Sequence, residues 1–185
     1  MSRPVESVES QEARTARLQR MVGFRYRMPD HYEVGREKVR EYATAVQNTH
    51  RAHYDESAAC ALGHPALVAP LTFVAVIGLI AQRYLLEQII AGFDLSQILQ
   101  TDQRLVFHRP MYAGDRLTVD VSLESFRHTA GTDIFVTETV VTDTGGAPVV
   151  TTLTTFVGRA GETDPDRIRR IQDVMMRGSG SGTGP

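Results

Sequence analysis

The chain has 185 residues, 42% of them hydrophobic, which suits one ordinary domain with flexible ends and excludes two large ones. Twenty Lys and Arg against 22 Asp and Glu leave a formal charge of −2, so the basic field needed for non-specific nucleic-acid binding is missing. The lone Cys60 cannot close an intramolecular disulfide, and MSRPVESVESQEARTARLQR lacks the apolar stretch of a signal peptide, so the expected compartment is the cytoplasm.

Residues 1–20 are rich in Glu, Arg, Ser and Gln and predict a disordered N-terminal tail. Gly35 to Gln47 places Val39, Tyr42, Ala43 and Val46 on one helical face, and the capping potential of Asn48 and Thr49 ends that helix. A short helix is expected over Glu56 to Leu62, stopped by Gly63-His64-Pro65. Ala66 to Ala81 is an uncharged apolar run of 16 residues that contains Pro70 and leads into Gln82-Arg83. A membrane span wants about 20 apolar residues, so this run predicts a helix from about Pro70 to Ala91, buried in protein on most of its faces.

From Asp102 the period changes to two. Leu117, Val119, Val121 and Leu123 alternate with polar residues, as in a strand buried on one face. Asp102 to Arg109, Thr132 to Val141 and Val149 to Arg159 read as three further strands, with a hairpin turn at DTGGAP and another turn at Ala113-Gly114-Asp115. Beyond a body of residues 21–160, residues 161–185 carry a short amphipathic helix in RIRRIQDVMMR and a flexible Gly/Ser tail. The class is α+β. A curved antiparallel sheet wrapped around the long apolar helix gives a single hot-dog domain, and periodicity alone leaves a generic α+β sandwich open.

The segment DQRLVFHRPMYAGDRLTVDVSLESF resembles the strand, P-x-x-x-G-D, strand unit of MaoC-like hot-dog dehydratases and hydratases. YEVGREKVREYATAVQNTH, LGHPALVAPLTFV and TTLTTFVGRAG are similar to actinobacterial proteins with a MaoC dehydratase N-terminal-type domain, among them the A and C subunits of the mycobacterial-type (3R)-hydroxyacyl-ACP dehydratase. The resemblance implies a hot-dog domain that pairs with a second one, commonly as a heterodimer whose other subunit carries the better catalytic loop. It implies reversible loss of water from a (3R)-3-hydroxyacyl thioester to give a trans-2-enoyl thioester, in type II fatty acid or mycolic acid-type elongation. The acyl group rides on acyl carrier protein or coenzyme A, and no metal, nucleotide or redox cofactor is implied.

In R-specific hydratases of this superfamily the acid/base pair lies in a G-D-x-N-P-x-H loop, which falls here on residues 47–53. His53 occupies the His position, but Asn48 replaces the Asp, and Gln47, His50 and Arg51 replace Gly, Asn and Pro. An amide has no useful basicity, so Asn48 can orient a hydroxyl or water without sharing in proton transfer, and His50 stands as a substitute. The plainer reading makes Asn48 a helix C-cap and both histidines ordinary loop residues. For the developing enolate oxygen, the amides of Leu71 and Thr72 at the start of the apolar helix are the candidate donors, with Thr72 as a mere cap or packing residue the alternative. Phe73, Val76, Ile77 and Ile80 are core positions that can also line an acyl tunnel, covered by Tyr84 to Leu99. Asp115 is expected to bond turn amides, Cys60 to be a small buried hydrophobe, and His64 to have no catalytic or metal partner.

Four functions fit. The first is a subunit that holds substrate while a MaoC-like partner supplies an intact Asp-x4-His loop. The others are a self-sufficient homodimeric R-specific hydratase or dehydratase using His53, a non-catalytic acyl-thioester binding protein, and a thioesterase, for which Glu87 is the only acid within the apolar helix.

Overall fold

The computed structural model describes residues 10–89 and 98–158. They form helices α1 (Gln11–Met21), α2 (Arg36–Ala45), α3 (Glu56–Ala61) and α4 (Val74–Ile89), with strands β1 (Arg25–Arg27), β2 (Tyr32–Glu33), β3 (Leu99–Phe107), β4 (Arg116–Thr129), β5 (Thr132–Asp143) and β6 (Pro148–Gly158). The strands make one antiparallel sheet in the order β1-β4-β5-β6-β3, with β2 also paired to β4. Sheet and central helix give the hot-dog arrangement.

Alternation dictates the sheet's faces. Leu117, Val119, Val121 and Leu123 of β4 are fully buried and meet Phe73, Ile77 and Ala81 of the helical segment, which are buried as well. Burial of each such Leu, Ile or Phe side chain contributes roughly 1.5–3 kcal/mol, so this seam holds helix to sheet. Expected burial of the apolar helix on most faces holds for one side only. Leu79 is 62% exposed and Ile80 38%, because the sheet curves around the Phe73–Ile77–Ala81 side. No helix among the described residues is long and apolar enough to cross a membrane.

Two expectations are corrected here. Within the supposed disordered tail, Gln11–Met21 is helical: Ser10 caps Ala13 N–H at 3.2 Å, Leu18 is fully buried, and Arg14 Nε meets the buried Asp133 carboxylate at 3.3 Å. A partner 119 residues away ties this helix down, which local composition cannot register. The sheet also has six strands rather than four, since β1 and β2 add along one edge of β4. The amphipathic helix and tail expected over 161–185, and the stretch 90–97 of the expected tunnel cover, lie outside the described residues.

Candidate functional site

The loop that follows α2 begins with backbone strain. Gln47 sits at φ 55°, its N–H donates to Thr44 O at 3.0 Å, and Asn48 N–H donates to Ala43 O at 2.8 Å. This pair of bonds is the Schellman closure of a helix, with Gln47 in the left-handed position that favours glycine. Asn48 is therefore not the residue that caps α2 through its side chain. Its Oδ1 instead accepts His50 N–H at 3.2 Å, and its backbone oxygen accepts the Tyr54 hydroxyl at 2.7 Å.

His50 and His53 come together across a single turn of 3-10 helix at Arg51–His53, with ring centroids 5.8 Å apart. His50 is exposed, and its Nδ1 accepts Ala52 N–H at 3.3 Å, so in the neutral ring the proton is on Nε2. His53 is buried at 8% exposure, and its Nδ1 lies 2.6 Å from Val68 O. A carbonyl only accepts, so Nδ1 donates and Nε2 is left with the lone pair. The two rings thus present opposite faces of imidazole chemistry: a donor at His50 Nε2 and an acceptor at His53 Nε2.

Val68 is held by the P-x-x-x-G-D turn. Ala69 N–H donates to Met111 O and Ala113 N–H to Leu67 O, while Val68 and Tyr112 form an isolated bridge. Arg109 grips Asp115 through Nη1 at 2.7 Å and Nη2 at 3.3 Å, and Asp115 Oδ2 also accepts Tyr112 N–H at 2.9 Å. Hydrogen bonding to Asp115 pushes the Arg109 guanidinium above its ordinary range, against the opposing effect of burial. Asp115 does bond a turn amide, as expected, and in addition anchors an ion pair that the sequence reading missed. The acid that follows Gly114 was the available signal, and Arg109 six residues earlier was its unread partner.

The chain runs from Val68 through Pro70 into a 3-10 turn at Leu71–Phe73 that leads directly into α4. Three residues span at most about 11 Å, so Leu71 lies within that reach of Val68, whose carbonyl meets His53 Nδ1. Phe73 N–H is spent on Pro70 O, and Tyr42 Oη donates to Thr72 O at 2.7 Å, pinning the helix start to α2. Leu71 and Thr72 are both exposed, whereas Phe73 and Ile77 are fully buried beneath the helix. The loop and the helix start are thus linked by two bonds, His53 Nδ1 to Val68 O and Tyr42 Oη to Thr72 O. Cys60 is exposed on α3 rather than buried, since it points away from the face that carries Ala59; His64 Nδ1 meets Tyr112 Oη at 3.2 Å.

A cleft of about 250 Å³ opens between α4 and the sheet, lined by Val74, Ala75, Gly78 and Leu79 on one side and Gln100, Gln103, Thr139 and Thr152 on the other. Among the described residues, the buried hydroxyls of Thr137, Thr139 and Thr154 have no hydrogen-bond partner, and of these Thr139 belongs to a residue lining the cleft. Each such orphan costs about 1–3 kcal/mol if left unpaired.

The family described as FAS1-like, dehydratase domain region matches residues 20–152. A UPF0336 protein of Mycolicibacterium paratuberculosis is 49% identical over 142 residues, covering 77% of this chain and 89% of that one. The C-terminally truncated HadBC (3R-hydroxyacyl-ACP dehydratase) complex from Mycobacterium tuberculosis is 40% identical with a TM-score of 0.68, covering 75% of this chain and 97% of that one. An (R)-hydratase from A. caviae involved in PHA biosynthesis, 21% identical with a TM-score of 0.59, covers 73% of this chain and 94% of that one and shares the fold.

Proposed function

We propose, from the premise that this chain belongs to the FAS1-like dehydratase-region family, that it is the substrate-holding subunit of a (3R)-3-hydroxyacyl-thioester dehydratase acting in type II fatty acid or mycolic acid-type elongation. A second, MaoC-like subunit supplies the intact Asp-x4-His loop, and the acyl thioester arrives on acyl carrier protein or coenzyme A.

The observation that carries this reading is Asn48. Dehydration removes a proton from the carbon beside the thioester carbonyl and expels the hydroxyl, with a proton, from the next carbon. A carboxylate can accept and return that proton; the Asn48 amide cannot, and its Oδ1 is already engaged with His50 N–H. Losing one general acid/base group removes about 10²–10⁴-fold of rate, which a partner's loop restores. What this chain offers is binding and electrostatics: the amides of Leu71 and Thr72 at the helix start face the developing oxyanion, while the fully buried Phe73 and Ile77 set the helix against the sheet rather than touch the acyl chain.

Two further features support a paired assembly. Every residue of β3 is exposed, including Leu99 at 65% and Phe107 at 36%, so an edge strand with an apolar side is left for another subunit to cover. The likeness to the HadBC complex supports both the reaction and the pairing. The test is hydration of a trans-2-enoyl thioester, followed by loss of enoyl absorbance, with the purified chain, the partner and their mixture. Turnover that needs the mixture is the expected result.

The second reading is a self-sufficient R-specific hydratase, favoured by His53 alone, whose Nε2 is left basic by the bond from Nδ1 to Val68 O. It predicts full turnover by the purified chain without a partner. A non-catalytic thioester-binding protein predicts no turnover by the chain and none in the mixture beyond that of the partner alone.

A further inference from the structure

The turn that leads into α4 is joined to α2 by hydrogen bonds in series. A peptide group carries its carbonyl and the next residue's N–H on one rigid plane, so a bond accepted by the carbonyl polarises that N–H and makes it a better donor. Tyr42 Oη donates to Thr72 O at 2.7 Å, and that carbonyl shares its peptide with the N–H of Phe73. The Phe73 N–H donates to Pro70 O at 2.8 Å, and that carbonyl shares its peptide with the N–H of Leu71. Each bond in such a chain strengthens the next by about 10–30%. The series ends at Leu71, which is 60% exposed and, since Pro70 has no N–H, is the first donor of the helical segment.

The phenol at the head of this series is held firmly. Its ring stands edge-on to Phe73, with centroids 5.3 Å apart and planes at 77°, and Phe73 is fully buried. Val39 and Ala43, on the same face of α2, are fully buried too, so the core sets where the hydroxyl sits. The same helix ends in the loop of the two histidines, where Asn48 N–H donates to Ala43 O. One rigid element therefore sets both the loop and the peptides of the turn.

We propose that Tyr42 is a positioning residue for the reaction: its hydroxyl, acting through the Thr72 and Pro70 carbonyls, orients and strengthens the Leu71 N–H that receives the developing enolate oxygen. The inference rests on the dehydratase reading above and names the side chain that tunes its oxyanion contact. A polarised amide gains most against the oxygen that carries most charge, so the effect falls on the transition state rather than on the bound thioester.

The test compares the native full chain with Tyr42→Phe, which keeps the ring against Phe73 and removes the donor, and with Tyr42→3-fluorotyrosine, whose phenol is a stronger donor. In the mixture with the partner, Tyr42→Phe is expected to lower kcat for trans-2-enoyl thioester hydration about tenfold with KM unchanged. The second readout is the infrared carbonyl stretch of octanoyl-pantetheine, isotopically labelled at the thioester carbonyl and bound to the chain alone. That band should move to higher frequency in Tyr42→Phe and to lower frequency in Tyr42→3-fluorotyrosine. The fluorinated chain keeps the native contacts, so this arm reads out even where Tyr42→Phe fails to fold. A band that stays at its native position in the folded variants, or a loss in Tyr42→Phe confined to KM or to melting temperature, overturns the inference. If the native mixture hydrates enoyl thioesters in that case, the dehydratase reading stands; if the native chain binds no thioester and the mixture shows no turnover, both fall.

Discussion

His53 Nδ1 lies 2.6 Å from the carbonyl oxygen of Val68, and this one contact fixes which ring nitrogen carries the proton. In the neutral ring, long-range proton–nitrogen NMR should report a protonated Nδ1 and a pyridine-type Nε2. A mixture of both tautomers would mean that the loop does not hold the ring in solution.

Val68 in turn depends on the turn gripped by Arg109 and Asp115. Asp115→Asn keeps the shape but loses the charge-assisted pairing, and the partial exposure of both groups tempers its contribution. A loss of about 1–2 kcal/mol in urea unfolding is expected, together with broadening of the His53 ring signals. Loss of stability with unchanged His53 signals would separate the turn from the site.

Gln47 occupies a left-handed position where the family loop has glycine. Gln47→Gly removes the clash of Cβ with the backbone while adding chain entropy to the unfolded state, so a net gain of about 0.5–1 kcal/mol is expected. Destabilisation by this substitution would show that the Gln47 side chain has a role of its own.

Much of this was legible in the sequence, and what was not has physical reasons. The alternation of Leu117 to Leu123 gave the faces of β4 directly, because a strand buried on one side repeats every two residues. The strands β1 and β2, three and two residues long, are too short to show any period and exist only as additions to β4. Helix α1 escaped notice because Arg14 finds Asp133 across the fold. At the loop, the positions of His53 and Asn48 followed from the motif, but the end of α2 was read from Asn48 because Gln47 lacks the glycine that usually marks a left-handed cap.

Asp55 caps α3 by accepting the Ser57 hydroxyl at 2.7 Å and the Ser57 amide at 2.8 Å, and these bonds hold its carboxyl below the usual carboxylate range. The folded state therefore binds the Asp55 proton less readily than the unfolded chain. The cap's contribution is complete above the ordinary carboxylate pKa and is lost as pH falls through the lower, folded value. The Ser57 amide resonance should follow that acid step, and Asp55→Asn should abolish it. A midpoint at the ordinary aspartate value would contradict the cap.

The central claim is that this chain holds the substrate while a partner moves the protons. The most direct measurement is the rate of trans-2-enoyl thioester hydration by the chain alone and by its mixture with a hot-dog subunit carrying an intact Asp-x4-His loop, each with native chain and with His53→Ala. The account predicts no turnover by the chain alone, turnover by the mixture, and retention of most of that turnover in His53→Ala. Turnover by the chain alone that His53→Ala abolishes would contradict it and make His53 the base of a self-sufficient enzyme.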